Sequence, residues 1–239
     1  MNATKARAVR FKSILKTFSA VTTTLLLAAS LASCASSANS GSLTDDPGSV
    51  IRALEEADKI VAKKKMLSFG DEWTVTADGQ EVGVIRGEAV YLIGDTYSLF
   101  SGTDTLVGRE AEGYRVVNHR AKLYDEQSNL RGEIKEKFSF TFAEYEILNG
   151  AGDVAGKAKQ KFSASMKFDV SGASGSTEYT VSKAFFSLNP KVTIERKNVN
   201  SSVEAIDALW LAVIASEVDD ANRKKADEEK ENEESKRNS

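Results

Sequence analysis

Two prolines, one cysteine and one histidine in 239 residues set the first limits. A lone cysteine excludes a disulfide scaffold. One Cys and one His exclude a Cys/His zinc site. Ser–His–Asp or Cys–His catalysis would have to run through His119. Two prolines exclude collagen-like and Pro-rich chains. No apolar run is long enough for a comfortable membrane span, since residues 20–32 are too few and too rich in Thr and Ser. A disordered chain is excluded as well, because 41% of the residues are hydrophobic and 8% aromatic. One domain would use most of the length.

Charge is unevenly placed. Residues 1–33 carry Lys5, Arg7, Arg10, Lys12 and Lys16 and no acidic residue. Without them the chain stands at −8, which argues against nucleic-acid binding. The basic stretch "KARAVRFKSILK" precedes the apolar "FSAVTTTLLLAASLASC", the n-region and h-region order of a secretory signal. Leu31-Ala32-Ser33-Cys34 resembles the bacterial lipobox. That resemblance implies cleavage between Ser33 and Cys34, a diacylglyceryl group on the Cys34 thiol, and anchorage of the mature chain to a membrane on the extracytoplasmic side of a bacterial envelope. Two or three acyl chains make such an anchor stable. The plainer reading is an ordinary secretory signal that happens to contain a cysteine.

Residues 34–48 then read as a lipidated N-terminus and flexible linker, rich in Ser, Ala and Gly. Asp46-Pro47 opens a short helix, assigned to residues 49–62, with Val50, Ile51, Leu54, Ala57 and Val61 at helical spacing.

From Met66 the chain repeats about every 24 residues. Met66, Val90, Tyr114, Phe138 and Phe162 share one position, and Trp73, Tyr97 and Tyr145 another. Gly108, Gly132 and Gly156 recur two places after Leu106, Leu130 and Val154. Such a period marks a repeated supersecondary unit. Each unit reads as two strands. Alternation of period two runs through "EWTVTA", "TYSLFS" and "EYEILN", and turn groups such as Asp78-Gly79 and Asn149-Gly150 follow. About twelve antiparallel strands result, and so many need a closed or doubled sheet to hide their edges. The glycines within strands mark bulges or close packing.

The last element differs. "SSVEAIDALWLAVIASEV" opens with a Ser cap, and residues 205–215 are apolar on nearly every face. Eleven residues rise only about 16 Å, so this is a helix for a protein core rather than for a bilayer. The expected fold is therefore mainly β: a closed antiparallel barrel over residues 63–218 around a buried helix at 202–217. Residues 219–239 are almost all charged or small and polar. They either prolong the helix as a solvated stretch or fray, and are assigned to a charged disordered tail.

A barrel closed around an apolar C-terminal helix resembles the tubby C-terminal-like fold, and within it the LURP-one-related family, over about residues 62–218. The likeness is carried by Lys63-Lys64-Lys65-Met66-Leu67-Ser68-Phe69-Gly70-Asp71, by Lys135-Glu136-Lys137-Phe138-Ser139 with Tyr145-Glu146-Ile147, by Lys159-Gln160-Lys161-Phe162-Ser163, and by Ser182-Lys183-Ala184-Phe185-Phe186-Ser187. The segment "GYRVVNHRAKLYDEQSN" departs from the pattern by its polarity. The resemblance implies little about function, since eukaryotic relatives include phosphoinositide binders and scramblases and most bacterial members have no settled role.

Lys135, Lys137, Lys157, Lys159 and Lys161 alternate along two strands and are candidate headgroup or ligand contacts. The plainer reading is a solvated exterior interleaved with Glu133, Glu136 and Gln160. His119 has no partner motif and reads as a surface or turn residue. Asp71 and Asp95 recur with the repeat as turn or cap residues. No catalytic residue, metal ligand or cofactor is assigned. The chain is thus expected to be a non-enzymatic, lipid-anchored binding or scaffold module, with a phospholipid or an envelope protein as partner. The alternative is an envelope carrier of lipid or another hydrophobic ligand. A hydrolase would need a cleft with paired carboxylates.

Overall fold

Alternating strands with five tight turns build the body. The computed structural model describes residues 46–65, 71–90, 94–102, 104–112, 119–137, 142–163, 165–184 and 190–237. Helix α1 is Pro47–Glu56. Strands β1 (Lys59–Lys64), β2 (Glu72–Ala77), β3 (Gln80–Val90), β4 (Gly94–Phe100), β5 (Leu106–Glu112) and β6 (Arg120–Asp125) follow. Then come β7 (Leu130–Lys137), β8 (Glu144–Asn149), β9 (Val154–Gln160), β10 (Lys167–Gly172), β11 (Thr177–Lys183), β12 (Lys191–Arg196) and helix α2 (Ala205–Arg237).

Each strand pairs antiparallel with its sequence neighbours, and β1 pairs with β12, so the twelve strands close into an up-and-down barrel. Eight strands leave an interior just wide enough for side chains, and twelve leave more. Here α2 fills it. Its residues 205–216 are buried apart from the half-buried Asp207, Trp210 at 1% exposure, against inward residues such as Trp73, Tyr145, Phe168 and Tyr179. Twelve helical residues rise about 18 Å, close to the length of a six-residue strand.

The 24-residue period has a geometric cause. The turns of β2–β3, β4–β5, β6–β7, β8–β9 and β10–β11 all lie at one end, and every one of these hairpins carries a β-bulge. The extra residues are Val82, Val107, Arg131, Ala155 and Glu178. In the first four hairpins a glycine follows the bulge, namely Gly83, Gly108, Gly132 and Gly156. A Cβ on Gly132 would sit 2.3 Å from the Leu148 carbonyl oxygen, and one on Gly156 2.3 Å from Val203 Cγ2. The glycines recur because each bulge brings neighbouring backbone, or the chain leading into α2, too close for a side chain. Turn residues Asp78, Asp104 and Ser128, with Gly152 and Gly175, supply the positive φ these turns need.

The structure departs from the expected boundaries at three places. The helix expected at 49–62 ends at Glu56, and Lys59–Lys64 is a strand. The apolar Ile60, Val61 and Ala62 suit either state, and closure decides, because β1 is the strand that joins β2 to β12. The tail expected to be disordered is helix through Arg237. It continues a helix already nucleated in the core, which removes the main cost of forming an isolated polar helix. Finally, the helix begins at Ala205, and no serine caps it: Ser202 Oγ donates to Glu178 instead.

Candidate functional site at the helix exit

Two bulge residues turn inward at the tight-turn end and hold the start of α2. Glu178, 2% exposed, accepts the backbone N–H groups of Ser202 and Val203, each at 2.9 Å. Glu55 of α1 accepts the N–H of Ala205 at 2.6 Å. Carboxylates at a helix N-terminus satisfy orphan donors and favour the dipole. Arg131 reaches Glu204 and, at 3.5 Å, Asp207. Burial pushes the Asp207 carboxyl up to about 7, against the opposing pull of Arg131. Burial also raises Glu55, partly offset by the hydrogen bond from Ala205. Arg196 of β12 donates to the carbonyls of Leu54, Glu55 and Ala57 and so ends α1.

The opposite end is where α2 leaves the barrel. Lys64 of β1 bridges Asp71 and Glu217, each at 2.8 Å. Burial opposes the charged Lys64 ammonium, but its hydrogen bonds to Asp71 and Glu217 outweigh that and hold its pKa up. Burial raises Glu217, and Lys64 limits the rise. Lys183 of β11, 9% exposed, donates to the Ser216 carbonyl at 3.1 Å, to Asp219 at 3.2 Å and to Asp220 at 2.6 Å. Two rim lysines thus grip the helix as it emerges.

Beside this grip lies a cleft of about 230 Å³, with Ile214, Val218 and Ala221 of α2 on one side and Tyr97, Glu110 and His119 on the other. Glu217, Asp220 and Lys224 complete it. Glu110 is 1% exposed. His119 is exposed; its backbone exchanges hydrogen bonds with Glu136, and its placement beside Glu110 was not readable from the sequence, where the two sit on different repeats. Asp71 accepts from the Tyr97 hydroxyl at 3.3 Å as well as from Lys64, so it serves the rim. Among the described residues no group of three or more His, Cys, Asp or Glu side chains could hold a metal ion.

The five candidate lysines stand together on the outer wall of β7–β10, with carboxylates between them. Lys137 meets Glu146 at 2.6 Å, Lys157 meets Glu146 at 3.8 Å and Lys159 meets Glu144 at 3.1 Å. Lys135 meets Glu133 at 3.3 Å, and Lys161 meets Asp169. The hydrogen bond from Lys137 holds Glu146 below the usual carboxylate range. Register explains the pattern, since Glu146 lies opposite Lys135 on one side and Lys157 on the other. The sequence had shown the lysines on one face but not that β8 would insert its glutamates between them. Ser33 and Cys34 lie outside the described residues.

The fold and this site define a helix-plugged, twelve-stranded meander barrel whose plug projects from one mouth. No family profile and no curated protein matches the chain. Among solved structures it is similar to an X-ray structure of a protein from Arabidopsis thaliana, at 15% identity and a TM-score of 0.45, over 76% of this chain and 99% of that one. A likeness of that strength assigns nothing to this chain, and the fold rests on the strand pairing itself.

Proposed function

We propose that this protein is a lipid-anchored lipoprotein of a bacterial envelope, held to the membrane through Cys34, whose barrel is a non-enzymatic binding or scaffold module of the LURP-one/tubby-like kind. The observation that supports the module reading most is the filled lumen: residues 205–216 of α2 occupy the space a carried ligand would need. The carrier alternative calls for a pocket of roughly 300–1,000 Å³ lined mostly by apolar groups. The cleft at the helix exit is about 230 Å³ and has three carboxylates on its walls.

The outer wall of Lys and Glu described above suits water, whereas a membrane-spanning barrel turns an apolar band outward. No described helix is long and apolar enough to cross a membrane. Attachment in this reading therefore falls to the acylated cysteine.

The test is intact-mass spectrometry of the full-length chain expressed in a bacterium that processes lipoproteins, beside Cys34→Ala. The expected mature protein begins at Cys34, carries acyl mass there and sits in membranes, while Cys34→Ala keeps its leader and gains no lipid. A parent cleaved elsewhere without acyl mass would overturn the anchor. A lipid that co-purifies in a fixed ratio with the body would overturn the filled barrel in favour of the carrier.

A further inference from the structure

The charges on the outer wall are segregated. Around β7–β10 every candidate lysine has a carboxylate within reach. Around β4–β6 the balance differs. Ser98 pairs with Arg86 on one side and Arg109 on the other, and Arg109 pairs with Tyr124, so these side chains share the outer face. Buried Tyr97, Leu99, Ala121 and Leu123 take the alternate, inward positions. Among the described residues, the outward positions of β4, β5 and β6 hold Arg109, Arg120 and Lys122 and no carboxylate.

Arg120 is paired with Glu133 of β7. Among the described residues Arg109 carries no ion pair, and neither does Lys122, although Glu133 lies opposite it in the sheet. The Arg109 guanidinium lies 5.2 Å over the Tyr124 ring, and its Nε is buried without a hydrogen bond. Stacking fixes the planar fork and leaves it a charge to satisfy. This basic wall stands on a body that is acidic overall.

The second unsatisfied feature is α2 beyond the rim. Residues 221–237 are exposed on every face and project about 25 Å. A helix polar all round bridges to something or depends on its own ion pairs. Asp227 meets Lys230 at 3.8 Å. Among the described residues Glu228, Glu229, Glu231, Glu233 and Glu234 have no ion pair. Six acidic residues within eight positions face solvent, outweighing the single Lys230.

We infer that the acidic stretch Asp227–Glu234 of one copy docks on the Arg109–Lys122 wall of a second copy. A straight helix leaving the barrel mouth projects away from its own wall, so the contact is made between molecules. It joins two different surfaces, and such heterologous contacts build rings or open chains unless two copies pair reciprocally. The interface gives the barrel a partner without any use of Cys34 and stands apart from the anchoring proposal.

The experiment is sedimentation of the full-length chain in density-matched detergent at low salt and at about 0.5 M salt, where charge is screened within a few ångström. The parent is expected to associate at low salt, at least about twofold in mass, and to dissociate at high salt. Arg109→Glu with Lys122→Glu, and separately Glu228→Lys with Glu229→Lys and Glu233→Lys, are each expected to remain monomeric. Mixing the two reversed variants is expected to restore a complex, because acidic wall then meets basic helix. Circular dichroism checks that each is folded. A parent monomeric at low salt overturns the proposal, as does association unaffected by either reversal, or a mixture that stays monomeric. A monomeric parent that binds anionic vesicles through Arg109 and Lys122 would assign the wall to a lipid surface and overturn it too.

Discussion

Glu178 accepts the backbone N–H of Val203 at 2.9 Å, so a residue that is surplus to strand pairing holds the chain as it turns into the barrel. A bulge frees one side chain from the alternation of its strand, and β11 uses that freedom to aim a carboxylate inward. Glu178→Ala would strand the N–H groups of Ser202 and Val203 and is expected to cost about 3 kcal/mol. Glu178→Gln keeps an acceptor and is expected to cost about half as much. Urea unfolding midpoints at constant slope measure both. A Glu178→Ala midpoint equal to the parent's would remove this carboxylate from the account of helix docking.

Stability should depend on pH through the base of α2. Asp207 titrates at about 7 in the folded protein against an ordinary value of 3.8. Between those values the folded protein holds a proton that the unfolded chain has lost. The stabilisation is therefore full below the lower value, falls as pH rises and is gone above the upper one. Glu55 and Glu217 are raised too and act in the same direction. Glu146, lowered by Lys137, acts oppositely on an exposed wall where screening leaves little. Asp207→Asn is expected to flatten the slope between these limits and to raise stability at neutral pH. Denaturation curves across that range would show it, and a variant as pH-dependent as the parent would count against it.

The recurring glycines should be unequal to the turn glycines. Gly132→Ala forces a Cβ to 2.3 Å from a backbone carbonyl oxygen that cannot swing away. A cost of about 2–3 kcal/mol is expected, as for overpacking. Gly79 has φ +85° but nothing within 4 Å of its would-be Cβ, so Gly79→Ala should cost only the backbone strain, about 1 kcal/mol. Thermal unfolding of the two variants side by side decides the order.

Lys183 ties the rim to three groups of the emerging helix. Lys183→Met keeps the buried stem and removes the donors. Hydrogen exchange is expected to quicken across residues 217–237 while residues 205–216, enclosed by the barrel, stay protected. Uniform loss of protection along α2 would mean that the grip stabilises the whole plug rather than its exit.

Replacing Lys157 and Lys159 with Ala should change little. Both lysines are exposed where they meet Glu146 and Glu144, and ion pairs with an exposed partner contribute about 0–1 kcal/mol. Unfolding midpoints within that margin, with unchanged membrane recovery, are expected. A large loss of membrane recovery would restore these lysines as headgroup contacts.

Much of the barrel was legible in neighbouring residues. Alternation marks strands, Asp78-Gly79 marks a turn, and a run apolar on every face from Ala205 must be surrounded. These are local signals, because side-chain period and φ preference act within a few residues. The 24-residue spacing of Gly108, Gly132 and Gly156 reported bulges for the same reason. The strand state of Ile60 was not legible, since its partners Ala77 and Ile194 are distant and only closure brings both to it. Nor were the glutamates between the lysines, the cleft that His119 and Glu110 share, or the grip of Glu55, Arg131 and Glu178 on α2. The sequence by itself determined the kinds of element, their number and the apolar plug. Tertiary structure alone decided which charges meet, because barrel closure sets strand register and the inserted helix sets which residues stand at each mouth.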